Sequence, residues 1–419
     1  MKTFAQGVQS VKKYTTVFIR WVLIAGLTGL VCGFVGYAFH QCVDAATAVR
    51  TGHRWLIGLL PLGGLLIVWL YRRLGMTGYG GTNSVISSVR TNEQVPVSLA
   101  PLIFVSTVIT HLFGGSAGRE GAALQLGGTI GSQVGRLFRL GEKDKNLVVM
   151  CGMAGLFSAL FGTPLTATIF SMEVISVGLF YYSGLLPCLT AAMSAYAVAD
   201  YFGAAPVRYS LETVPALSAV SVGQVAVLSI LCASVSIAFC LAMHGTEHIL
   251  KARLKNPYIR IAVGGCVIIV LTLLARSGDY NGAGMDVVER AIQGGKALWY
   301  AFILKILFTA VTIGSGFRGG EIVPTFFIGA TFGCAAGGLL GLDPGFGAAI
   351  GFVALFCGVV NCPLASLALS VEVFGAQGLL FFALACSVSY MLSGYYGLYS
   401  SQKIVYSKIH AEYINRDAE

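Results

Sequence analysis

Eight apolar runs of roughly membrane-spanning length, at 16–39, 55–71, 98–113, 183–200, 221–243, 258–275, 297–313 and 377–393, recur along the chain. Further apolar stretches near 120–135, 146–161, 164–177, 322–341, 344–360 and 364–375 are shorter or interrupted by Gly and Pro. That mixture predicts helices that stop inside a membrane among others that cross it. Composition agrees: 56% of the 419 residues are hydrophobic and only 11% charged. Soluble domains carry about 25% charged residues, so this chain cannot cover a water-facing surface. The expected fold class is an all-α integral membrane protein with the lipid bilayer as solvent.

The first run is longer than the core of a signal peptide and is followed by no small-residue cleavage site, so it reads as a retained helix. Lys2, Lys12, Lys13 and Arg20 flank it and predict a cytoplasmic N-terminal segment over 1–15. Residues 401–419, with Lys403, Lys408, His410 and Arg416, read as a basic amphipathic helix and tail on the same side. Both termini are thus expected in the cytoplasm. The formal charge of +9 is assigned to membrane topology, and no basic–aromatic interleaving points to nucleic acid. Most of the eleven cysteines lie within apolar segments, where they act as small hydrophobes. Neither a disulfide framework, a metal cluster nor a cofactor is expected.

The two halves repeat each other. FGTPLTATIFSMEV at 161–174 matches VNCPLASLALSVEV at 360–373, with Pro164 and Pro363, Ser171 and Ser370, and Glu173 and Glu372 each 199 apart. Gly127, Thr129 and Gly131 match Gly329, Thr331 and Gly333 at a spacing of 202, and the turn at 78–82 echoes 278–284. The predicted organisation is a first repeat at 16–201, a connector at 202–220 and a second repeat at 221–400. Such repeats in membrane proteins are usually inverted, with the substrate site between them.

Two carboxylates stand inside this apolar sequence. Glu120 lies in Gly118-Arg119-Glu120-Gly121, and Glu321 in Gly314-Ser315-Gly316-Phe317-Arg318-Gly319-Gly320-Glu321-Ile322-Val323-Pro324. A carboxylate at membrane depth costs about 2.5–3.5 kcal/mol on insertion scales, so its default reading is functional. Glycine-rich turns before apolar helical sequence occur at 80–84, 114–121, 314–320 and, less clearly, 393–399. Each presents backbone N–H groups at a helix start, a site for an anion. The competing reading is that the glycines permit close helix packing. Glu173 and Glu372, at equivalent repeat positions, read as structural caps or ion-pair partners. Arg119 and Arg318 read as structural too. Lys305 is open between a structural and a path role.

These motifs resemble the CLC family of anion channels and anion/proton antiporters. The resemblance rests on Gly118-Arg119-Glu120-Gly121, Gly319-Gly320-x-x-x-Pro324, the repeated Pro-x6-Ser-x-Glu segments, and Tyr399 near the start of a last helix. It implies a CLC fold of two inverted homologous halves with tilted and half-spanning helices. It also implies a homodimer with one pore per subunit in the plasma (inner) membrane. Glu120 would be the gating glutamate and Tyr399 a hydroxyl ligand of the anion. Chloride members carry G-S-G-I-P where this chain has Gly81-Thr82-Asn83-Ser84-Val85, and exchangers keep an inner proton glutamate where Val174 stands. The G-G-E-x-x-P string instead resembles the fluoride/proton antiporter branch, in which Glu321 would join Glu120 in proton handling. The implied anion ligands are Gly81, Thr82, Asn83, Gly118, Gly121, Gly320, Val323 and Tyr399, through backbone N–H groups and polar side chains.

The expected function is therefore anion/proton antiport, exporting fluoride in exchange for protons. A chloride channel or chloride/proton antiporter of the same fold is the alternative. A rival of another class is a membrane zinc enzyme built on His244, Glu247 and His248, an H-x-x-E-H string at the end of the 221–243 run. No third ligand is evident for it, and a non-enzymatic transporter is the favoured class.

Overall fold

The computed structural model describes residues 2–91 and 93–419, with side chains from residue 11 onward. The Lys2 side chain lies outside the described residues, whereas Lys12, Lys13 and Arg20 line an exposed helical stretch. Sixteen α-helices are described, and the second eight repeat the order of the first. In the first half they are α1 (Lys2–Gly52), α2 (Leu60–Arg73), α3 (Thr82–Thr91), α4 (Leu99–Leu112), α5 (Glu120–Leu137), α6 (Glu142–Phe161), α7 (Pro164–Glu173) and α8 (Leu185–Tyr201). In the second half they are α9 (Ala219–Arg253), α10 (Pro257–Ala275), α11 (Met285–Gln293), α12 (Ala301–Ser315), α13 (Ile322–Leu339), α14 (Pro344–Val360), α15 (Pro363–Phe374) and α16 (Leu379–Leu392).

The apolar runs of the sequence fall mainly on these helices, and among the described residues seven helical stretches are long and apolar enough to cross a membrane. Helix α1 has 51 residues, about 76 Å at 1.5 Å per residue, well beyond a hydrocarbon core of about 30 Å. Its exposed start is tied back by Arg20, which pairs with Asp144 at 3.0 Å. Large apolar side chains such as Phe34, Leu66, Trp69 and Leu273 face outward, as a lipid solvent requires.

The core is built on α5–α6 and their equivalents α13–α14. A Cβ on Gly127 would meet the Gly152 carbonyl at 2.2 Å, and one on Gly329 would meet the Gly351 carbonyl at 2.3 Å. These glycines lie inside α5 and α13, away from the glycine-rich turns. They let backbones touch where no hydrophobic effect drives helices together.

The halves are also stapled by equal and opposite bonds. Glu173, at the end of α7, accepts from the N–H groups of Leu364 (3.2 Å) and Ala365 (2.9 Å) in the first turn of α15. Glu372, near the end of α15, accepts from Leu165 (2.9 Å) and Thr166 (2.8 Å) in the first turn of α7, and from the Thr166 hydroxyl at 2.6 Å. Each carboxylate fills the orphan donors that a helix start leaves. Both glutamates are caps, as their repeat positions implied. Glu173→Ala is expected to destabilise the protein by about 1–3 kcal/mol, because it orphans buried donors. The check is the thermal midpoint in detergent. An unshifted midpoint with impaired proton coupling would instead place Glu173 in the transport path.

The C-terminal segment corrects the sequence reading. Residues 401–419 are not an amphipathic helix but two strands, β2 (Lys403–Tyr406) and β3 (Tyr413–Asp417), paired antiparallel, with β2 lying parallel to the short β1 (Ser176–Val177). The four basic residues at irregular spacing form no helical face. The β-branched Ile404 and Val405 are instead buried in an extended strand, for which their branching suits them. No helix follows Tyr399 either. It sits in the loop between α16 and β2, so the turn at 393–399 offers no helix N-terminus.

Candidate functional site

Three helix starts, those of α3, α5 and α13, converge with the Tyr399 loop. The organising contact joins the two glycine motifs. Gly118 and Gly320 each donate an N–H to the other's carbonyl at 2.7 Å, an isolated antiparallel bridge between equivalent loops. Only residues without side chains allow this approach, since a Cβ on Gly320 would stand 2.4 Å from the Gly121 nitrogen. The consequence corrects one expectation: the N–H groups of Gly118 and Gly320 bind each other, not an anion. The donors left by helix geometry are those one step further in, at Gly121 and Ala122 on α5 and at Ile322 and Val323 on α13.

Glu120 is the first residue of α5 and is 1% exposed. Its Oε2 accepts the Arg119 N–H at 3.0 Å, and its Oε1 lies 3.6 Å from the Arg119 Nε. The carboxylate thus occupies the helix N-terminus, where the dipole and free N–H groups favour a negative charge. Arg119 is shared: its Nη1 also pairs with Asp44 at 2.9 Å and contacts His40, whose Nδ1 is 3.1 Å from Asp44. Its expected structural role holds. The sequence reading missed His40 and Asp44, whose signal was an i, i+4 polar pair inside the longest apolar helix.

Glu321 stands at the N-cap position of α13, and its carboxylate reaches across the bridge, where a Cβ on Gly121 would stand 2.8 Å from Oε2. That Oε2 is buried and without a hydrogen-bond partner. The Tyr399 hydroxyl shares this condition: the residue is 2% exposed and its oxygen is unpartnered. The phenol lies within electrostatic reach of both Glu321 and Glu120. Buried polar atoms are nearly always paired, so these two leave hydrogen-bonding capacity unused at a junction of helix starts. Val323 is buried against Gly118 and borders the same cavity as Glu120.

The rest of the first turn behaves differently from expectation. The Thr82 hydroxyl donates to the Gly121 carbonyl at 3.3 Å and accepts from the Gln125 amide at 3.1 Å. Its single proton is committed to clamping α3 onto α5, so Thr82 has no hydroxyl donor for an anion. Asn83 has its Oδ1 bound by the N–H (3.1 Å) and hydroxyl (3.0 Å) of Ser401, which leaves its amide NH2 as the donor. Gly81, at φ +64°, makes the left-handed turn that starts α3. Ser401 thus fixes the Tyr399 loop to α3, aided by Arg90 on the Ser401 carbonyl, Leu398 N–H on Val359 (2.9 Å) and Gln402 N–H on Tyr399 itself (2.9 Å). Gln125 and Ser401 carried no sequence signal, because their partners lie 43 and 318 residues away.

Lys305 is fully buried. Its Nζ donates to the carbonyls of Gly282 (2.7 Å) and Tyr280 (3.3 Å) and lies over the Phe327 ring. It anchors the turn at 278–284, a structural role. Arg318 stacks on the Tyr71 ring, 4.4 Å from its centroid. Of the zinc candidates, the His244 Nε2 is 2.8 Å from the Gly397 carbonyl and Glu247 pairs with Lys251 at 2.5 Å. Among the described residues no group of three or more His, Cys, Asp or Glu side chains is placed to hold a metal. The cysteines are all free thiols.

Glu120 also borders a cavity of about 740 Å³ whose exposed mouth carries Thr51, Arg54, Arg276 and Asp279 at the C-terminal ends of α1 and α10. The turn at 278–284 walls this cavity, and Gly78 and Tyr79 of the equivalent turn at 78–82 border a second one of about 300 Å³. The first cavity therefore reaches Glu120, and the second is bordered by Ser84 and Ser88 of α3.

Comparison with known proteins agrees with this arrangement. The family model described as "Voltage gated chloride channel" matches residues 63–394. A "Chloride/fluoride channel protein" of Pseudomonas syringae pv. tomato is 35% identical over 398 residues, spanning 93% of this chain and 88% of its own. The "H(+)/Cl(-) exchange transporter ClcA" of Vibrio cholerae is 25% identical over 383 residues, with 83% and 80% covered. Among solved structures, a CLC-type fluoride/proton antiporter superposes with a TM-score of 0.89 at 34% identity, covering 92% of this chain and 98% of that one. A slow cyanobacterial Cl−/H+ antiporter, at 20% identity and a TM-score of 0.76, shares the fold. The chain is a multi-pass membrane protein of the CLC family of anion channels and anion/proton antiporters.

Proposed function

We propose that this protein exports fluoride in exchange for protons. The observation that carries the reading is the pair of buried, unpartnered atoms, the Tyr399 hydroxyl and the Glu321 Oε2, at the junction of three helix starts. Fluoride is small and strongly hydrated, so a site that takes it from water must supply close, numerous donors. Tyr399, the Asn83 amide and the first-turn N–H groups of α3, α5 and α13 supply them without a cation on the ion. Glu120 is the gate and proton carrier, and Glu321 the second proton site. A carboxylate beside a buried anion path must be protonated to let the ion past, which couples the two fluxes. The likeness to a chloride/fluoride channel protein and to a fluoride/proton antiporter supports the choice of ion.

The protein then lies in a plasma (inner) membrane with both termini cytoplasmic, as Lys12, Lys13 and Arg20 favour by the positive-inside rule. Two copies associate, each with its own path. The test is efflux from reconstituted liposomes followed with fluoride and chloride electrodes and a pH probe. Fluoride efflux that drives protons uphill is the expected result. Chloride efflux without proton movement would make the protein a channel and leave Glu321 without its assigned role.

A further inference from the structure

Helix α4 carries a histidine in its last turn that the transport reading does not use. His111 is 1% exposed. Its Nδ1 is 2.9 Å from the carbonyl of Thr107, one turn back. A carbonyl only accepts, so Nδ1 carries the hydrogen, and in the neutral ring Nε2 is left with a lone pair. That Nε2 is buried and has no partner. The residue borders the 740 Å³ cavity whose wall includes Glu120, whose mouth is exposed at Arg54 and Arg276.

Arg50 from α1, Arg119 at the start of α5 and Lys305 from α12 lie near enough to act on the ring, and Asp44, Glu120, Asp279 and Asp286 share its cavity wall. Asp44 and His40 of α1 engage Arg119. Helix α2 also packs on α4, but its charges, Arg72 and Arg73, stand in its last turn, whereas Gly63 near its start meets Phe113 just beyond His111. Of these cations Arg119 and Lys305 are bound elsewhere, whereas the Arg50 Nε is buried without a partner. Glu120 is the proton-accepting group on its cavity wall nearest the ion path. A basic nitrogen held in a fixed tautomer, on a residue that borders the same cavity as Glu120, suits proton transfer better than anion binding, because a lone pair repels an anion.

We propose that His111 is a proton station between vestibule water and Glu120, an inference that rests on the antiport reading. A hydronium in the cavity gives its proton to the His111 Nε2, leaving water and an imidazolium. The imidazolium gives that proton to a Glu120 carboxylate oxygen through cavity water, leaving a carboxylic acid and a neutral ring. The Nδ1 bond to Thr107 persists throughout and keeps the ring aimed.

The variants separate this role from packing. His111→Asn keeps an N–H for the Thr107 carbonyl and loses the basic nitrogen, and His111→Ala opens room for a free imidazole. In liposomes where the wild type shows coupled flux, His111→Asn is expected to slow proton movement about tenfold or more, in line with loss of a general acid–base group. The deficit shrinks at low pH on the cavity side, where hydronium reaches Glu120 unaided, and added imidazole restores His111→Ala. Wild-type rates in His111→Asn overturn the proposal, as does a deficit that neither acid nor imidazole relieves, since that marks a packing role. A wild type that moves no protons overturns the antiport reading itself, and the station with it.

Discussion

Glu120→Gln is expected to abolish proton movement, a fall of about 100-fold or more, while anion still passes. The carboxylate is buried at the start of α5, accepts the Arg119 N–H, and sits where the helix N-terminus would otherwise hold an anion. Two states follow. Ionised, it competes with the ion for the same donors. Protonated, it loses its attraction to the dipole and swings aside. Glutamine resembles the protonated form but carries no transferable proton, so the gate loses its coupling and not its shape. Parallel fluoride and pH traces from liposomes read both fluxes at once. Wild-type coupling in this variant would sink the assignment of Glu120.

Glu321→Gln is the second large effect: fluoride transport and proton transport are expected to fall together, by about 100-fold. Glu120 and Glu321 differ in what surrounds them. Glu120 has Arg119 beside it, whereas the Glu321 Oε2 is buried, unpartnered and set against Gly121 across the loop bridge. It is therefore placed to act only when the ion or a proton arrives. An amide in its place retains a donor for fluoride but cannot cycle between charged and neutral forms, so turnover stalls with the ion bound. Binding and flux measured on the same preparation distinguish this from misfolding, since fluoride binding should persist. Loss of proton coupling with rapid passive fluoride flow would show that Glu321 is a coupling residue alone.

The sequence by itself determined a good deal of this protein. Membrane helices were legible because lipid admits no other way to satisfy a backbone, so apolar runs map directly onto α1, α2, α9 and α10. The repeat was legible because equivalent residues perform equivalent tasks, as Glu173 and Glu372 do at each other's helix starts. Glu120 and Glu321 stood out because a carboxylate at membrane depth is costly.

Only the tertiary structure decided which donors remain free at the junction of helix starts. Gly118 and Gly320 were expected to bind it and instead bind each other, and the Thr82 hydroxyl is taken by Gly121. The C-terminal segment was read as a helix and is a hairpin, since its pairing partner Ser176–Val177 lies more than two hundred residues earlier in the chain. His111 was likewise invisible: a histidine in an apolar run is ordinary until its neighbours show that one nitrogen has no partner. Hydropathy, spacing and glycine content are local properties and survive in one dimension. A hydrogen bond has one donor and one acceptor, and which atoms meet is settled only when distant segments pack.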